Sequence, residues 1–484
     1  MTAYSENNVL KYAFYPDSIA IVGASEAPYS AGYIFMYPLL EYGYQGHIYP
    51  VNPNKQTVLG RKAYPDLGSI PGSVDYAICC LPASKVINML RECHAKGVKV
   101  VHLFTARFSE TGRQEDKELE INIMQEAKRL EVRLIGPNCM GIYHPQHGMA
   151  FAHDLPKESG TVGVVFQSGG MSTLIARYGQ LQGLRFSKVI SYGNALDLDE
   201  SDFLHYLAHD DKTKVIAAYI EGVKNGRKLL NALSDAARIK PVVAIKAGRN
   251  VSGIRAAASH TAAIAGSDSA WDTIFKQAGV IRAQDMEELI DLLVTFSILP
   301  PISGNRVGIV GGGGGTSVMS ADACEEAGFV LPPLPVKVDE ELEKWAPELQ
   351  GWLGNPVDRS IMPGASGGDS SGFGSILRMV AESSSFDFII TQIAEDNPSP
   401  ENVWESIVRG EIKEIIDASR EQLKPIVTVI NGGKKAVFDQ NGSDRWKILA
   451  ELRESLIAAR IPTYSTVTEA LSAIRQSIDY WQSK

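Results

Sequence analysis

The feature of this sequence that most constrains its fold is the alternation of short apolar runs with longer amphipathic segments. The run SIAIVGAS at 18–25 ends in a glycine turn, and stretches such as 84–96 and 115–130 have helical spacing. Strands that alternate with helices form parallel sheets covered by helices on both faces. The pattern therefore predicts an α/β chain built from doubly wound parallel sheets.

Two interruptions divide this alternation into three parts. The first is rich in histidine and proline between residues 144 and 160, and the second contains Pro300 and Gly304. The predicted strands are 18–25, 47–52, 75–82, 98–105 and 132–138, then 161–170, 187–194, 215–222 and 241–248, and finally 306–315, 386–393 and 425–432. A chain of 484 residues has room for about three domains of about 150 residues each. We expect doubly wound domains at 1–143, 158–299 and 304–484.

Three strand-to-helix junctions, at 22–25, 166–172 and 310–317, are rich in glycine. Glycines let backbone amides converge, and the N-terminus of the following helix carries about half a positive charge. One such turn is weak evidence, because most α/β domains have glycines there. Several in one chain predict a small ligand that carries phosphate.

The first junction does not have the pattern of a nicotinamide dehydrogenase. After Gly23 the turn reads ASEAPYSAG instead of G-x-G-x-x-G, and the second strand ends in Val51-Asn52-Pro53, where such enzymes have an acidic residue for the ribose. We therefore do not expect NAD. Lys55, just beyond that strand, is placed to meet a phosphate.

Charge and hydropathy exclude other partners. The 47 basic and 56 acidic residues give a net charge of −9, which disfavours binding along a nucleic-acid backbone. No apolar run approaches the roughly 18–20 residues that cross a bilayer, and the N-terminus has no signal-peptide pattern. Five cysteines without paired metal spacing indicate reduced thiols. We expect a cytoplasmic protein without nucleic-acid or membrane partners.

A run of small residues surrounds one histidine in the second part. Residues 255–266 read RAAASHTAAIAG, with His260 near the centre. Such a run cannot pack a wide apolar face, so it predicts a mobile loop that presents an imidazole. A neutral imidazole is a nucleophile near pH 7 and can carry a phosphoryl group. His260 is the candidate carrier, and an ordinary loop histidine is the alternative.

Two other polar clusters are expected to be structural. His144, His147 and His153 lie close together in sequence, but they occur in a linker, so we expect no metal site there. The acidic residues between 197 and 202 are expected to cap and orient a helix rather than gather a cation.

Several motifs occur in the same order as in a known family: VGAS at 22–25, YPVNP at 49–53, IGPNCMGI at 135–142, QSGG at 167–170, SYGNALDLDESDFLHYL at 191–207, YIEG at 219–222, ASHTAAIAG at 258–266 and NPVD at 355–358. From about residue 12 to about residue 480, the chain resembles the α-type subunit of the NDP-forming acyl-CoA synthetases. That superfamily includes ADP-forming acetyl-CoA synthetases and, more distantly, succinyl-CoA synthetase. The resemblance implies a Rossmann-like CoA-binding domain followed by two flavodoxin-like ligase domains.

The resemblance also implies roles for individual residues. His260 would be phosphorylated, and Glu221 would be the carboxylate that holds its imidazole. The implied CoA contacts are Gly23, Ala24, Ser25, Lys55, Thr105, Ala106, Arg107, Asn138 and Cys139. The implied phosphate and acyl contacts are Phe166, Gln167, Ser168, Gly169 and Gly170, with Gly313, Gly314 and Gly315 from the third domain. Phe166 replaces a serine usual in the family, which predicts a tighter, apolar acid pocket.

The implied reaction interconverts acyl-CoA, phosphate and ADP with acid, CoA and ATP through acyl phosphate and phosphohistidine. The acid would be a small carboxylic acid. Three α/β units leave no room for an ATP-grasp module, so the resemblance implies a separate β-type subunit that binds ATP or ADP with Mg²⁺, in an α2β2 hetero-oligomer. The alternative is a non-catalytic CoA or acyl-CoA sensor or scaffold. The presence of both His260 and Glu221 favours the ligase, because a sensor needs neither.

Overall fold

The computed structural model describes residues 3–253, 255, 267–348, 354–362, 370–393, 395, 397–430 and 445–484. It forms two compact units. The first unit contains residues 1–180 and 184–289, and the second contains residues 181–183 and 290–484. His260 lies outside the described residues.

The first sheet of the first unit is parallel and lies between helices. Its strands are β1 (Ser18–Val22), β2 (His47–Val51), β5 (Tyr76–Cys79), β6 (Val100–Leu103) and β7 (Arg133–Ile135), with a short hairpin of β3 (Thr57–Val58) and β4 (Arg61–Lys62) outside it. The helices are α1 (Ala3–Phe14), α2 (Ala31–Glu41), α3 (Val86–Lys96) and α4 (Gln114–Arg129). The strand order is β2-β1-β5-β6-β7: β2 is added on one side of β1, and β5, β6 and β7 are added on the other. The switch point of the sheet therefore lies between β1 and β5. Ligands of doubly wound sheets bind at that switch point, outside the carboxyl ends of the strands.

The second sheet belongs to the same unit. Its strands are β8 (Gly141–Tyr143), β9 (Ser159–Phe166), β10 (Phe186–Ser191), β11 (Val215–Ile220), β12 (Val242–Lys246) and β13 (Ile281–Arg282). The helices that follow its strands are α5 (Gly169–Leu181), α6 (Glu200–Ala208), α7 (Gly226–Ile239), α8 (Asp268–Ala278) and α9 (Met286–Ile298). Residues 290–298 of α9 belong to the second unit. The order is β13-β12-β11-β9-β10-β8, so the switch point lies between β9 and β11.

Strand β8 differs from the sequence-based expectation. It pairs antiparallel with β10, with Tyr143 opposite Val189, although the sequence pattern predicted no strand between residues 138 and 161. Three residues give too little alternation to be read as a strand. The pairing carries the motif at 135–142 directly into the second sheet.

The third sheet lies in the second unit and is parallel. Its strands, in spatial order, are β14 (Val307–Gly311), β15 (Phe388–Gln392), β16 (Ile426–Val429) and β17 (Thr463–Tyr464). Its helices are α10 (Gly314–Glu326), α11 (Val336–Trp345), α12 (Ser371–Glu382), α13 (Glu401–Arg420), α14 (Arg445–Ala458) and α15 (Val467–Gln482).

Short 3₁₀ turns occur in both units, at Ala83–Lys85, Ser109–Thr111, Pro145–His147 and Arg359–Ile361.

The predicted α/β class is confirmed, and all twelve predicted strands are present. Most of the observed strands are shorter than predicted at their carboxyl ends, because the glycine and proline residues there leave the sheet to form the turns. Among the described helices, none is both long and apolar enough to cross a membrane.

Candidate functional site

The glycine turn after β1 lies at the switch point of the first sheet. Gly23 has φ +94°, and the backbone N–H groups of Gly23 and Ala24 both donate to the Val51 carbonyl, at 3.0 and 3.1 Å. A Cβ on Gly32, in the first turn of α2, would lie 2.3 Å from the Gly23 carbonyl oxygen. The turn and the N-terminus of α2 are therefore in direct contact, as an anion-binding turn requires.

Lys55 is close to this turn but is already paired. Its Nζ lies 2.9 Å from Glu26 Oε1, and both side chains are about half exposed, at 52% and 48%. Exposed ion pairs contribute about 0–1 kcal/mol, so a phosphate can compete with Glu26 for the ammonium. Ser25 Oγ accepts a hydrogen bond from the Ala27 N–H at 3.1 Å.

The loop after β6 holds Thr105, Ala106 and Arg107, the last two exposed. Arg107 has φ +74°, and its N–H donates to Glu110 Oε1 at 2.6 Å. The other oxygen of Glu110 accepts from Asn194 Nδ2 at 2.8 Å. Glu110 therefore ties the predicted CoA loop to the loop that follows β10, a role that its sequence position did not reveal.

Asn138 and Cys139 follow β7. The Asn138 N–H donates to the Thr105 carbonyl at 3.0 Å, and Asn138 Nδ2 lies 3.5 Å from Asn194 Oδ1. Burial raises the pKa of the Cys139 thiol to about 12. A thiol that stays protonated is a poor nucleophile, so Cys139 shapes the site rather than attacking a substrate.

These loops line an open cavity of about 290 Å³, called here the reaction cavity. It is lined by Phe104, Asn138, Cys139, Met140, Gln167, Ser168, Gly169, Gly170, Gly193 and Asn194. Residues predicted to face the thiol end of CoA thus meet those predicted to hold phosphate. Helix α5 begins at this cavity, and Ser168 Oγ accepts from the Met171 N–H at 3.4 Å. The positive end of its dipole favours an anion there.

Glu221 lies just after β11, beside the switch point of the second sheet, and is 7% exposed. The side-chain oxygen of Gln167 accepts hydrogen bonds from the N–H groups of Glu221 and Gly222, at 2.8 and 3.2 Å. Gln167 therefore connects the reaction cavity to the backbone of Glu221. His260 lies outside the described residues, so its pairing with Glu221 stays a prediction.

Lys246 was not singled out from the sequence. Its Nζ donates to the carbonyl of Glu221 at 2.8 Å and also to that of Ala247. Burial lowers the pKa of Lys246 to about 8, and the negative charge of Glu221 opposes that shift. The signal available was a lysine at the carboxyl end of the apolar run VVAIK.

Phe166 is completely buried at the end of β9, and its ring centroid lies 5.5 Å from that of Tyr219. It is not among the residues that line the reaction cavity. Its predicted role in the acid pocket stays a prediction.

Gly313, Gly314 and Gly315 lie at the N-terminus of α10, in the second unit. The Gly313 N–H donates to Thr316 Oγ1 at 2.8 Å. A Cβ on Gly313 or Gly315 would have no described atom within 4 Å, whereas one on Gly314 would lie 3.2 Å from Asp358 Oδ2. The N-terminus of this helix is therefore open, and its phosphate-binding role stays a prediction.

The two remaining polar clusters have structural partners. Asp199 caps α6, accepting from the Ser201 N–H at 2.9 Å, while Lys228 pairs with Asp199 and Asp202. This confirms the predicted capping role. Of the histidines, His144 Nδ1 lies 2.8 Å from the Phe14 carbonyl oxygen. Within the part of the chain that the structure describes, no group of three or more His, Cys, Asp or Glu residues is placed to hold a metal.

Glycine turns at the switch points of the first two sheets are features of α/β proteins that bind phosphorylated ligands at their strand ends. Comparisons with known families agree. The CoA binding domain model matches residues 17–145, and the model of the succinyl-CoA ligase like flavodoxin domain matches residues 159–296.

Two relatives from Pyrococcus furiosus are alpha subunits of ADP-forming acetate–CoA ligases. The alpha subunit of ligase II is 40% identical to this chain, and the match covers 72% of this chain and 76% of the subunit. The alpha subunit of ligase I is 36% identical, and the match covers 90% of this chain and 93% of the subunit. The acetyl-coenzyme A synthetase 1 of Ca. Korarchaeum cryptofilum, solved with phosphate and ADP, matches with a TM-score of 0.81 and 30% identity over 98% of this chain and 97% of that one. The chain belongs to the family of ADP-forming acetate–CoA ligase alpha subunits.

The family predicted from the sequence motifs is therefore confirmed, and the relatives are ligases rather than sensors. The chain spans about half the length of a further relative, the ADP-forming acetate–CoA ligase of Methanocaldococcus jannaschii, which is 39% identical over 72% of this chain and 49% of its own length.

Proposed function

We propose that this chain is the α-type subunit of an ADP-forming acid–CoA ligase that uses CoA, phosphate and a carboxylic acid. The reaction cavity carries this proposal, because it places the 138–140 segment of the predicted CoA site against the N-terminus of α5. A thioester carbonyl and a phosphate can meet only where a CoA channel and an anion site share one space.

In the first step, a phosphate oxygen attacks the thioester carbonyl carbon of acyl-CoA. The carbon–sulfur bond breaks, the sulfur takes a proton, and acyl phosphate remains in the cavity. Gly169 and Gly170 form the first turn of α5, and their backbone N–H groups stabilise the charge of the phosphate.

In the second step, an imidazole nitrogen of His260 attacks phosphorus, and the carboxylate of the acid leaves. Glu221 accepts a hydrogen bond from the other ring nitrogen, which selects the reactive tautomer and stabilises the positive ring. Gln167 and Lys246 bind the backbone of Glu221 and hold its carboxylate in place.

In the third step, phosphohistidine passes its phosphoryl group to ADP. We propose that this step needs an ATP-grasp module in addition to residues 1–484, supplied as a β-type subunit that binds the nucleotide with Mg²⁺ in an α2β2 assembly. The naming of the Pyrococcus relatives as alpha subunits supports this proposal. The domain limits 1–143, 158–299 and 304–484 and the cytoplasmic location stay predictions.

The first two steps predict a burst of thiol. Mixing the chain with acyl-CoA and phosphate should release about one CoA thiol per chain, measured with a thiol reagent, because each His260 accepts one phosphoryl group.

Lys55→Glu should raise the acyl-CoA concentration at half-maximal burst about tenfold or more, since a repulsive charge replaces a charge-assisted contact with phosphate.

Glu26→Gln is the matched control for Lys55→Glu. It removes the partner of Lys55 without touching the ammonium, so it should leave the half-maximal concentration unchanged or lower it. Thiol release that does not depend on phosphate would contradict the proposed first step, and an unchanged Lys55→Glu variant would contradict the assigned CoA contact.

A further inference from the structure

A second cavity, of about 530 Å³, lies in the first unit beside the reaction cavity. Its walls include Tyr33, Ile34 and Tyr37 of α2, Met140 and Phe151 of the connecting segment, and Thr173 of α5. We call it the tyrosine cavity. Its surface is mainly apolar, and the Tyr33 and Tyr37 rings stack with centroids 5.2 Å apart.

Met140 lines both cavities. A Cβ added to Gly169 would lie 2.9 Å from Met140 Cγ, so the methionine side chain crosses the first residue of α5. Gly169 and Gly170 face the reaction cavity, and Thr173 faces the tyrosine cavity. Three residues of helix span about 4.5 Å. The distance between the reaction cavity and the tyrosine cavity is therefore no longer than a short acyl chain.

Two of the polar side chains that line the tyrosine cavity, Thr173 and Arg177, are paired with neighbours, and His153 also lines it. Arg177 is bound bidentately by Asp154, with Nε 2.6 Å from Oδ2 and a terminal nitrogen 2.9 Å from Oδ1. Thr173 Oγ1 donates to the Gly169 carbonyl at 3.1 Å. The charge of Arg177 is balanced at two points by Asp154, and the tyrosine faces and Met140 offer apolar and polarizable surface to a ligand.

We propose that the tyrosine cavity holds the organic tail of the acid, and that the substrate is an aromatic or branched apolar carboxylic acid larger than acetate. The inference rests on the proposed ligase function, which places the reacting carbonyl in the reaction cavity. A volume of about 530 Å³ is within the range of about 300–1,000 Å³ typical of pockets for drug-sized ligands. A two-carbon acid would leave it largely empty.

The side chain of Met140 lies between the two cavities, and therefore between the organic tail of the acid and its reacting carbonyl. Its unbranched thioether changes rotamer readily, so it can turn aside for a bulky tail. This assignment differs from the prediction that Phe166 shapes the acid pocket, because Phe166 is buried against Tyr219. The two residues make separate predictions and can be compared directly.

The test uses the complete ligase, with its nucleotide module, and a panel of acetate, isovalerate, phenylacetate and hydroxycinnamate. The wild type should have a kcat/KM for phenylacetate or hydroxycinnamate at least tenfold above that for acetate. Ile34→Trp, which fills the cavity, should lower the aromatic values by about 10–200-fold and change acetate less than twofold. Tyr178→Ala, a change on α5 at an exposed residue outside the cavity, is the control and should match the wild type.

If Ile34→Trp does not fold, as judged by circular dichroism, Tyr37→Ala replaces it and should lower the aromatic values about tenfold with acetate unchanged. A preference for acetate, an equal loss for all acids, or a shift in preference with Phe166→Ser alone would overturn the proposal. If no acid of any size is activated, the ligase function fails instead. In that case, calorimetry with phenylacetate tests whether the tyrosine cavity binds the organic tail. Binding to the wild type that is lost in the cavity variant would support this assignment, and an absence of binding to the wild type would overturn it.

Discussion

Replacing Glu221 by glutamine is expected to lower the rate of His260 phosphorylation by about 10²–10³-fold, within the range of a positioned acid–base group. The amide keeps the size of the side chain and can still contact the ring. It cannot stabilise the positive imidazole that forms when nitrogen attacks phosphorus. The measurement is the rate of phosphoryl transfer from acyl phosphate to the chain, followed in rapid-quench experiments.

The structure explains why this effect should be specific. Glu221 is held through its backbone, by Gln167 at its N–H and Lys246 at its carbonyl, so changing the carboxylate leaves those hydrogen bonds in place. CoA binding should therefore be unchanged. Glu158→Gln, at a 71% exposed glutamate paired with Arg185, serves as the charge-matched control. A Glu221→Gln variant as fast as the control would remove Glu221 from the mechanism.

The second large effect concerns the nucleotide step. The purified chain with acyl-CoA, phosphate and ADP is expected to make no more ATP than the background, and adding an ATP-grasp module should give catalytic turnover. The reason is that phosphohistidine must meet a bound nucleotide, and we place that site outside residues 1–484. Coupled luciferase detection of ATP measures the difference.

Two controls separate this step from the earlier ones. Chelating Mg²⁺ should stop ATP formation while leaving the thiol burst unchanged, because we place the metal at the nucleotide site of the added module. His260→Asn chain mixed with the same module should stay at background. Sustained ATP formation by the chain alone would show that the nucleotide step does not need the added module.

Strand positions were predictable because parallel strands buried on both faces are continuous apolar runs ending in glycine turns. SIAIV and VVAIK are examples, and both are strands in the structure. The missed strands, such as β8 and β13, have three and two residues. They exist through pairing with β10 and β12, which is tertiary information that local sequence does not contain.

Part of the candidate site could be predicted because the family resemblance assigns roles to residues that directly follow predicted strands. Asn138, Cys139 and Gln167 lie where the first two sheets place their carboxyl edges, and the structure brings them into one cavity. Glu110 and Asn194 were missed because their importance comes from a contact across 84 residues of sequence. Lys246 and the tyrosine cavity were also missed, because the pKa of Lys246 and the lining of the cavity depend on residues that are distant in sequence.

The most direct test of the central claim is to incubate the chain with acyl-CoA and radioactive phosphate and to locate the label. We expect one labelled residue, His260, with the acid-labile and base-stable behaviour of a phosphoramidate, which distinguishes it from a phosphoserine at Ser259. His260→Asn should lose the label and keep its affinity for CoA. Label that persists in His260→Asn, or a wild type that stays unlabelled even with its nucleotide module and ATP, would contradict the account.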